Sequence, residues 1–408
     1  MKHKLNLYLE KILKFFILIF FVIFMFYFLK IEAGSGDEQL FLNDLSFIKT
    51  NGWMQAISKK IALPYLILVY PFSLFFQDFV ALRLVNIMLF VLLFIYFKKM
   101  GEIKSKMFNY YFLFFSASGW FMSGTNDTLF IVSLVTFFNE VYKFLENKDK
   151  TNKTLLMISL VIAFFTRELI YVYTPVLFYS LFLLYKKKVN LFSTVKVPIG
   201  LFCFFLIINI PSLLANHSFS YDNKIPPINV KSNWAQRQYL AQLMVNNGQL
   251  ENHQHPTWIQ TDEYLIKNGK NSLPKGLFSG MIFDVKLTFI EFFKDFSDVI
   301  FQSIRQTGFI ILIVLSFMFY SFFFKKRNEN LYIPVISCVM VCIFSLIIIS
   351  YVETRWLIPI FIMAVIYYSD IEVKNKLPTT ISILNNLCLI LIIFYGIFRV
   401  YSKLLNIE

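Results

Sequence analysis

Nine side chains carry the chemical interest of this sequence: Asp37, Glu38 and Asp44, then Arg83, Asp127, Arg167 with Glu168, and Glu353 with Arg355. A carboxylate within hydrogen-bond reach of a hydroxyl can take its proton. A guanidinium holds anionic oxygens through several charge-assisted hydrogen bonds. Each group also has a plainer reading. Asp37 or Glu38 could cap a helix, because Leu40, Phe41, Leu45 and Ile48 continue at helical spacing. Asp127 could cap the helix that starts at Thr128, and Arg83 could anchor a helix end among lipid headgroups. Arg167–Glu168 and Glu353–Arg355 could be local ion pairs. What these readings leave unexplained is a shared side, which only the arrangement of the whole chain reveals.

That arrangement is set by a membrane. Of 408 residues, 57% are apolar and only 16% charged, against roughly a quarter charged in soluble domains. The apolar residues also come in blocks long enough for a hydrocarbon layer of about 30 Å. The formal charge of +14 does not indicate nucleic acid. The basic residues sit in short runs between apolar blocks, as in Lys98-Lys99, Lys186-Lys187-Lys188 and Lys325-Lys326-Arg327, and such runs mark cytoplasmic loops. The four cysteines, Cys203, Cys338, Cys342 and Cys388, fall inside apolar blocks and read as small core hydrophobes.

The basic start, Met1 to Lys14, places the N-terminus in the cytoplasm. The apolar segment Phe15 to Leu29 lacks a small-residue cleavage site and reads as a retained first helix. Residues 31–78 form an outer loop whose apolar stretch Pro64 to Phe76 lies in or near the interface, because a second crossing there would put the basic loop 98–106 outside. Further crossings follow at 79–97, 107–122, 128–142, 154–165, 169–185 and 197–215. A long outer segment, 216–307, precedes crossings at 308–324, 331–350, 356–368 and 379–398. The expected fold is thus an all-α polytopic membrane protein of about eleven transmembrane helices, with bundles at 79–215 and 308–408. In the outer segment Ile282, Val285, Phe289, Phe292, Phe293, Phe296 and Ile300 form a stripe at helical spacing, as in an amphipathic helix lying on the membrane or capping the bundle.

With this threading, all nine side chains lie at outer helix ends or in outer loops, an arrangement like a catalytic cavity at the membrane surface. A transporter would instead place its key charges near the bilayer midplane. His217, His253 and His255 read as loop residues.

The sequences around these positions resemble the GT-C glycosyltransferases. Gly36-Asp37-Glu38-Gln39-Leu40-Phe41, with Asn51-Gly52-Trp53, is similar to their acidic first-loop motif. Leu63-Pro64-Tyr65-Leu66 resembles the membrane-skimming helix after it, and Ala81-Leu82-Arg83-Leu84-Val85-Asn86 the opening of the next span. Gly124-Thr125-Asn126-Asp127-Thr128 looks like the later motif whose Asp opens a helix. Phe164-Phe165-Thr166-Arg167 before Pro175 is similar to the threonine–basic site, and Glu353-Thr354-Arg355-Trp356 to the acidic-x-Arg-aromatic segment. The likeness runs in order from Gly36 to Pro359. It is closest to bacterial protein mannosyltransferases and lipid A aminoarabinose transferases. The chain is shorter than those and lacks their large C-terminal soluble domain, so their substrates are not carried over.

The resemblance implies a cell-envelope enzyme of the bacterial inner membrane. It would take a polyprenyl-phosphate sugar as donor and an extracytoplasmic glycan, lipid or protein as acceptor, with inversion at the anomeric carbon. Asp37 would be the general base, with Glu38 next, and Asp127 would orient the acceptor or an arginine. Arg83, Arg167 and Arg355 would bind the donor phosphate, supported by Asp44, Glu168 and Glu353. Some relatives use a divalent metal, which clustered carboxylates could hold. An O-antigen or capsule-type polysaccharide polymerase shares many of these traits, but its catalytic residues would centre on the late outer loop. A membrane transporter or lipid flippase is the alternative of another class.

Overall fold

The computed structural model describes residues 2–118, 121–148, 150–190, 195–221, 230–323 and 330–405. The lysine–arginine run 325–327 lies outside the described residues. Those described fold entirely as helices and connections, with no strand. By their internal contacts they divide into two compact units, Met1–Asp222 with Ser303–Ser337 and Ile358–Glu408, and Asn223–Gln302 with Cys338–Leu357.

The first unit begins with α1 (Lys2–Lys30), then α2 (Glu38–Asn51), α3 (Trp53–Ser58), α4 (Leu63–Ser73) and α5 (Asp78–Lys99). It continues with α6 (Lys106–Ser118), α7 (Asp127–Leu145), α8 (Lys153–Thr166), α9 (Ile170–Lys186), α10 (Lys196–Ile208) and α11 (Ile210–Asn216). The second unit holds α12 (Trp234–Asn246), α13 (Trp258–Asn268), α14 (Leu277–Phe283) and most of α15 (Val285–Thr307). The chain then adds α16 (Ile310–Phe323), α17 (Tyr332–Leu346), a 3₁₀ turn at Thr354–Leu357, α18 (Ile358–Val373) and α19 (Thr379–Leu405).

Among the described residues, five helices are long and apolar enough to cross a membrane: α1, α5, α7, α19, and α18 together with its leading 3₁₀ turn. The chain is therefore a multi-pass helical membrane protein. Two bent pairs raise the number to seven, α10 with α11 at 47° and α15 with α16 at 119°. The other expected crossings, α6, α8, α9 and α17, have 13–17 residues, about 20–26 Å at the helical rise. By length and composition, five to seven of the described helices are candidate spans. Burial separates inner from outer helices: the apolar stretches of α7 and α18 are 83% buried, those of α1 and α19 only 28%. The outer pair meets along Leu9, Leu13, Ile17, Phe20, Phe24 and Phe28, one face of α1 at three- and four-residue spacing.

Several boundaries depart from the expected ones. The crossing expected at 197–215 breaks at Asn209, because Pro211 supplies no N–H to continue the ladder. The helix expected to end at Tyr142 runs on to Leu145 and buries Lys143 completely, the ammonium bonding to Glu140 of the preceding turn at 2.7 Å. The crossing expected to reach Ser350 ends as a helix at Leu346. The cysteines, expected in the core, are all free; Cys203 is exposed and the others half-buried. They lie on apolar helices whose outer faces suit lipid, so apolar surroundings here do not require a protein core.

The amphipathic segment at 277–307 is two helices, with Ile282 on α14. Val285, Phe289, Ile290, Phe293 and Phe301 of α15 are exposed, while Thr288 and Glu291 are buried. An apolar arc facing outwards is what a lipid-contacting helix presents.

Candidate functional site

Arg83 stands on the second turn of α5 and is 8% exposed. Its Nε donates to Glu38 Oε1 and its Nη2 to Glu38 Oε2, both at 2.8 Å. Nη1 donates to Ile31 O at 2.9 Å, and Nη2 also to Glu32 O at 2.8 Å. Four of the five guanidinium N–H groups are therefore committed to the first loop, and the rings of Phe28 and Phe79 lie 5.4 and 5.5 Å from the guanidinium carbon. Glu38, expected as an alternative base, is 2% exposed and also accepts from Gly34 N at 3.2 Å. This pair fixes the loop.

One turn along α5, Asn86 Nδ2 donates to Thr125 O at 2.9 Å and to Ser123 O. Two side chains of one helix thus hold both the first loop and the turn before Asp127. The elements meet at Gly124, where a Cβ would run into the Glu38 carboxylate and come 2.8 Å from Leu82 Cβ. Only glycine lets the turn approach so closely.

The turn then delivers Asp127 as the first residue of α7, 7% exposed. Asp127 Oδ1 pairs with Arg167 Nη1, and Oδ2 accepts from Thr125 Oγ1 at 3.2 Å. Arg167 follows the last residue of α8, and Asn126 Nδ2 secures it by donating to Thr166 O at 3.2 Å. Neither Asp37 nor Asn126, which occupy the N-cap positions of α2 and α7, caps its helix through the side chain. Asp37 is half-buried beside Glu38; Asp44 is half-buried two turns along α2, and Glu168 is exposed beside Arg167.

Glu38–Arg83 and Asp127–Arg167 are thus two ion pairs of the first unit, joined through Asn86 and the turn at Gly124 into one cluster, with Asp37 next to Glu38 in the chain. Glu353 and Arg355 pair with one another in the second unit. Close to the cluster, Tyr221 Oη donates to Phe164 O at 2.9 Å. Burial, with smaller contributions from Tyr171 and Glu168, pushes its phenol well above the ordinary value, so it stays protonated. Tyr221, Asn86 and Gly124 were not singled out as site residues from the sequence. Asn86 and Gly124 stood inside quoted motifs without a role, and Tyr221 has no spacing signal.

Among the described residues, no three of His, Cys, Asp and Glu come together as a metal site would require. The two carboxylates of the cluster that are buried, Glu38 and Asp127, are each bonded to an arginine. This donor set does not fit a divalent ion.

A second polar layer lies at the opposite ends of α5 and α7, thirteen residues on in each helix (83 to 96 and 127 to 140), about 20 Å away at the helical rise. Tyr96 Oη and Lys143 Nζ both donate to Glu140 Oε1 at 2.7 Å, and Asn152 N to Glu140 Oε2 at 2.7 Å. Tyr142 Oη and Lys148 Nζ donate to Asp370 Oδ2 at 2.7 and 3.0 Å.

A multi-pass helical protein with an arginine–carboxylate cluster at one end of its bundle is the class these observations define. Comparison with protein-family models, with curated proteins and with solved structures finds no match to this chain.

Proposed function

We propose that this protein is an integral membrane glycosyltransferase of GT-C type, with about eleven crossings and a cytoplasmic N-terminus. It transfers a sugar from a polyprenyl-phosphate donor to an extracytoplasmic acceptor. The observation that carries the reading is the two ion pairs Glu38–Arg83 and Asp127–Arg167, both largely buried in the first unit, with Asp37 beside Glu38 at the start of α2. Asp37 takes the acceptor hydroxyl proton as the oxygen bonds to the anomeric carbon. The bond to the lipid phosphate breaks, its electron pair leaves with the phosphate, and configuration inverts. Arg167 binds the developing phosphate charge. Arg83, with four N–H groups engaged by the protein, acts by holding Glu38 and the loop that carries Asp37.

Reconstitution with labelled polyprenyl-phosphate sugars, following release of the lipid phosphate, tests this. Asp37→Asn and Asp37→Ala should lose turnover by about 10²-fold or more, the scale of one general base. Native turnover in both would remove the proposed base. The polymerase reading is favoured by one observation, a polar cluster built on the late segment around His253 and His255. Transfer of a preassembled glycan between lipid carriers, insensitive to Asp37, would select it.

A further inference from the structure

The loop 251–256 of the second unit carries features that the roles above do not use. His253 adopts a left-handed backbone with φ 75°, uncommon for a residue with a Cβ and a state that surrounding structure must enforce. The enforcement is visible. Arg237 of α12 donates through Nε to Pro256 O at 2.7 Å, and its guanidinium lies 5.0 Å from the Trp258 ring. Thr257 and Gln260 close a reciprocal cap at the start of α13, which fixes where the loop ends.

Held this way, the loop sets two exposed imidazoles against a second irregular segment. The His253 ring lies 3.9 Å from the Tyr351 ring, centroid to centroid, at 71°. His255 Nδ1 is 3.2 Å from Ser350 Oγ. Gln302 Nε2 is 3.4 Å from Tyr351 Oη. The partner segment, 347–353, is not helical although Ile347-Ile348-Ile349 prolongs the apolar run of α17. Backbone without helical pairing in an apolar stretch is tolerated where it lies inside protein or lines a polar cavity. Here it leads within a few residues to Glu353 and Arg355, and Trp356 packs at 6.0 Å on Phe344 of α17.

The side chains brought together here can all donate: two imidazoles, each with at least one N–H whatever its tautomer, and a serine and a tyrosine hydroxyl. Such a set matches a ligand rich in acceptor oxygens and negative charge. We propose that His253, His255, Ser350 and Tyr351 form a recognition site for the phosphate head group of a lipid phosphate. The proposal rests on the reading that a lipid phosphate is substrate or product, and it adds the histidines of the late segment to the binding groups.

The test is calorimetric titration of the full chain in detergent with farnesyl phosphate, with farnesol and inorganic phosphate as separate arms. Farnesyl phosphate should bind, farnesol should not, and inorganic phosphate should compete weakly if the head group is what is read. His253→Ala and His255→Ala should each weaken farnesyl phosphate binding about tenfold. Tyr351→Phe, which removes only a hydroxyl, should weaken it less and serves as the variant least able to disturb folding. Equal affinity of native and variant chains, or equal binding of farnesol, would overturn the site. Histidine-dependent binding without sugar transfer retires the glycosyltransferase reading and leaves the site standing. Transfer lost in Asp37 variants while the histidine variants bind as the native chain does retires the site alone.

Discussion

Arg83 and Glu38 were both legible as residues that could do chemistry, but not as partners forty-five positions apart. A bidentate pair, both members nearly buried, costs much more when broken than it contributes when intact. Arg83→Ala should therefore destabilise the chain by about 3–5 kcal/mol, because Glu38 is left buried without its cation. In thermal melts, Arg83→Met combined with Glu38→Gln should recover part of that loss; strict additivity would mean that the two do not act as a pair. Asp37 should behave oppositely. The isosteric Asp37→Asn keeps the side chain's shape and removes its charge, so as the proposed base it should lose transfer by far more than it loses melting temperature. The sequence placed both groups in one motif and could not say that Glu38 is the partner of Arg83, because that depends on where Arg83 points.

At the scale of elements, the hydrophobic periodicity located most helices, and its failures have local causes. Pro211 breaks one crossing. The β-branched run Ile347-Ile348-Ile349 looked like more helix, but β-branched side chains are less tied to a helix than their hydropathy suggests. The closest approach between elements is at Gly124, where α5, the first loop and the turn into α7 converge. Gly124→Ala should cost about 1–3 kcal/mol, as overpacking does, and should loosen the loop that carries Asp37. Thermal melts check this: an unchanged melting temperature in Gly124→Ala would show that the turn gives way without cost. On α15, burial, with Glu291 and Asp298 adding to it, pushes the Asp295 carboxyl up to about 8. A carboxyl raised in the fold binds its proton more tightly there than in the unfolded chain, so stability falls as pH rises from about 4 to about 8 and is level above. Asp295→Asn should remove that slope, melting like the native chain near pH 4 and above it at pH 9. Parallel curves for the two would show that Asp295 is ordinary.

For the whole molecule, the sequence reading sorts the charges by side, and the first unit carries two separate polar layers on which that reading can be tested. Its two polar layers occupy opposite ends of α5 and α7, and the helical rise sets them about 20 Å apart. The layer of Glu38, Arg83 and Asp127 belongs with loop 31–37. The layer of Glu140, Lys143 and Asp370 belongs with the connections rich in lysine. The proposed extracytoplasmic site requires the lysine-rich connections to stay in the cytoplasm, as such runs tend to, and the first layer to lie at the opposite face. Threading alone could not reveal the second layer, because Lys143 and Glu140 looked like the edge of a charged loop instead of a buried pair. Single cysteines placed at Asp37, Asp127, Lys98 and Lys374, in a chain with its four native cysteines removed, decide the matter. With a thiol reagent that cannot cross the membrane, Asp37→Cys and Asp127→Cys should label in intact cells, whereas Lys98→Cys and Lys374→Cys should label only after permeabilisation. Labelling of all four from one side would break the link between the layers and the two faces. Labelling of Asp37→Cys and Asp127→Cys only from the cytoplasm would remove an extracytoplasmic active site altogether, whatever their variants do to turnover.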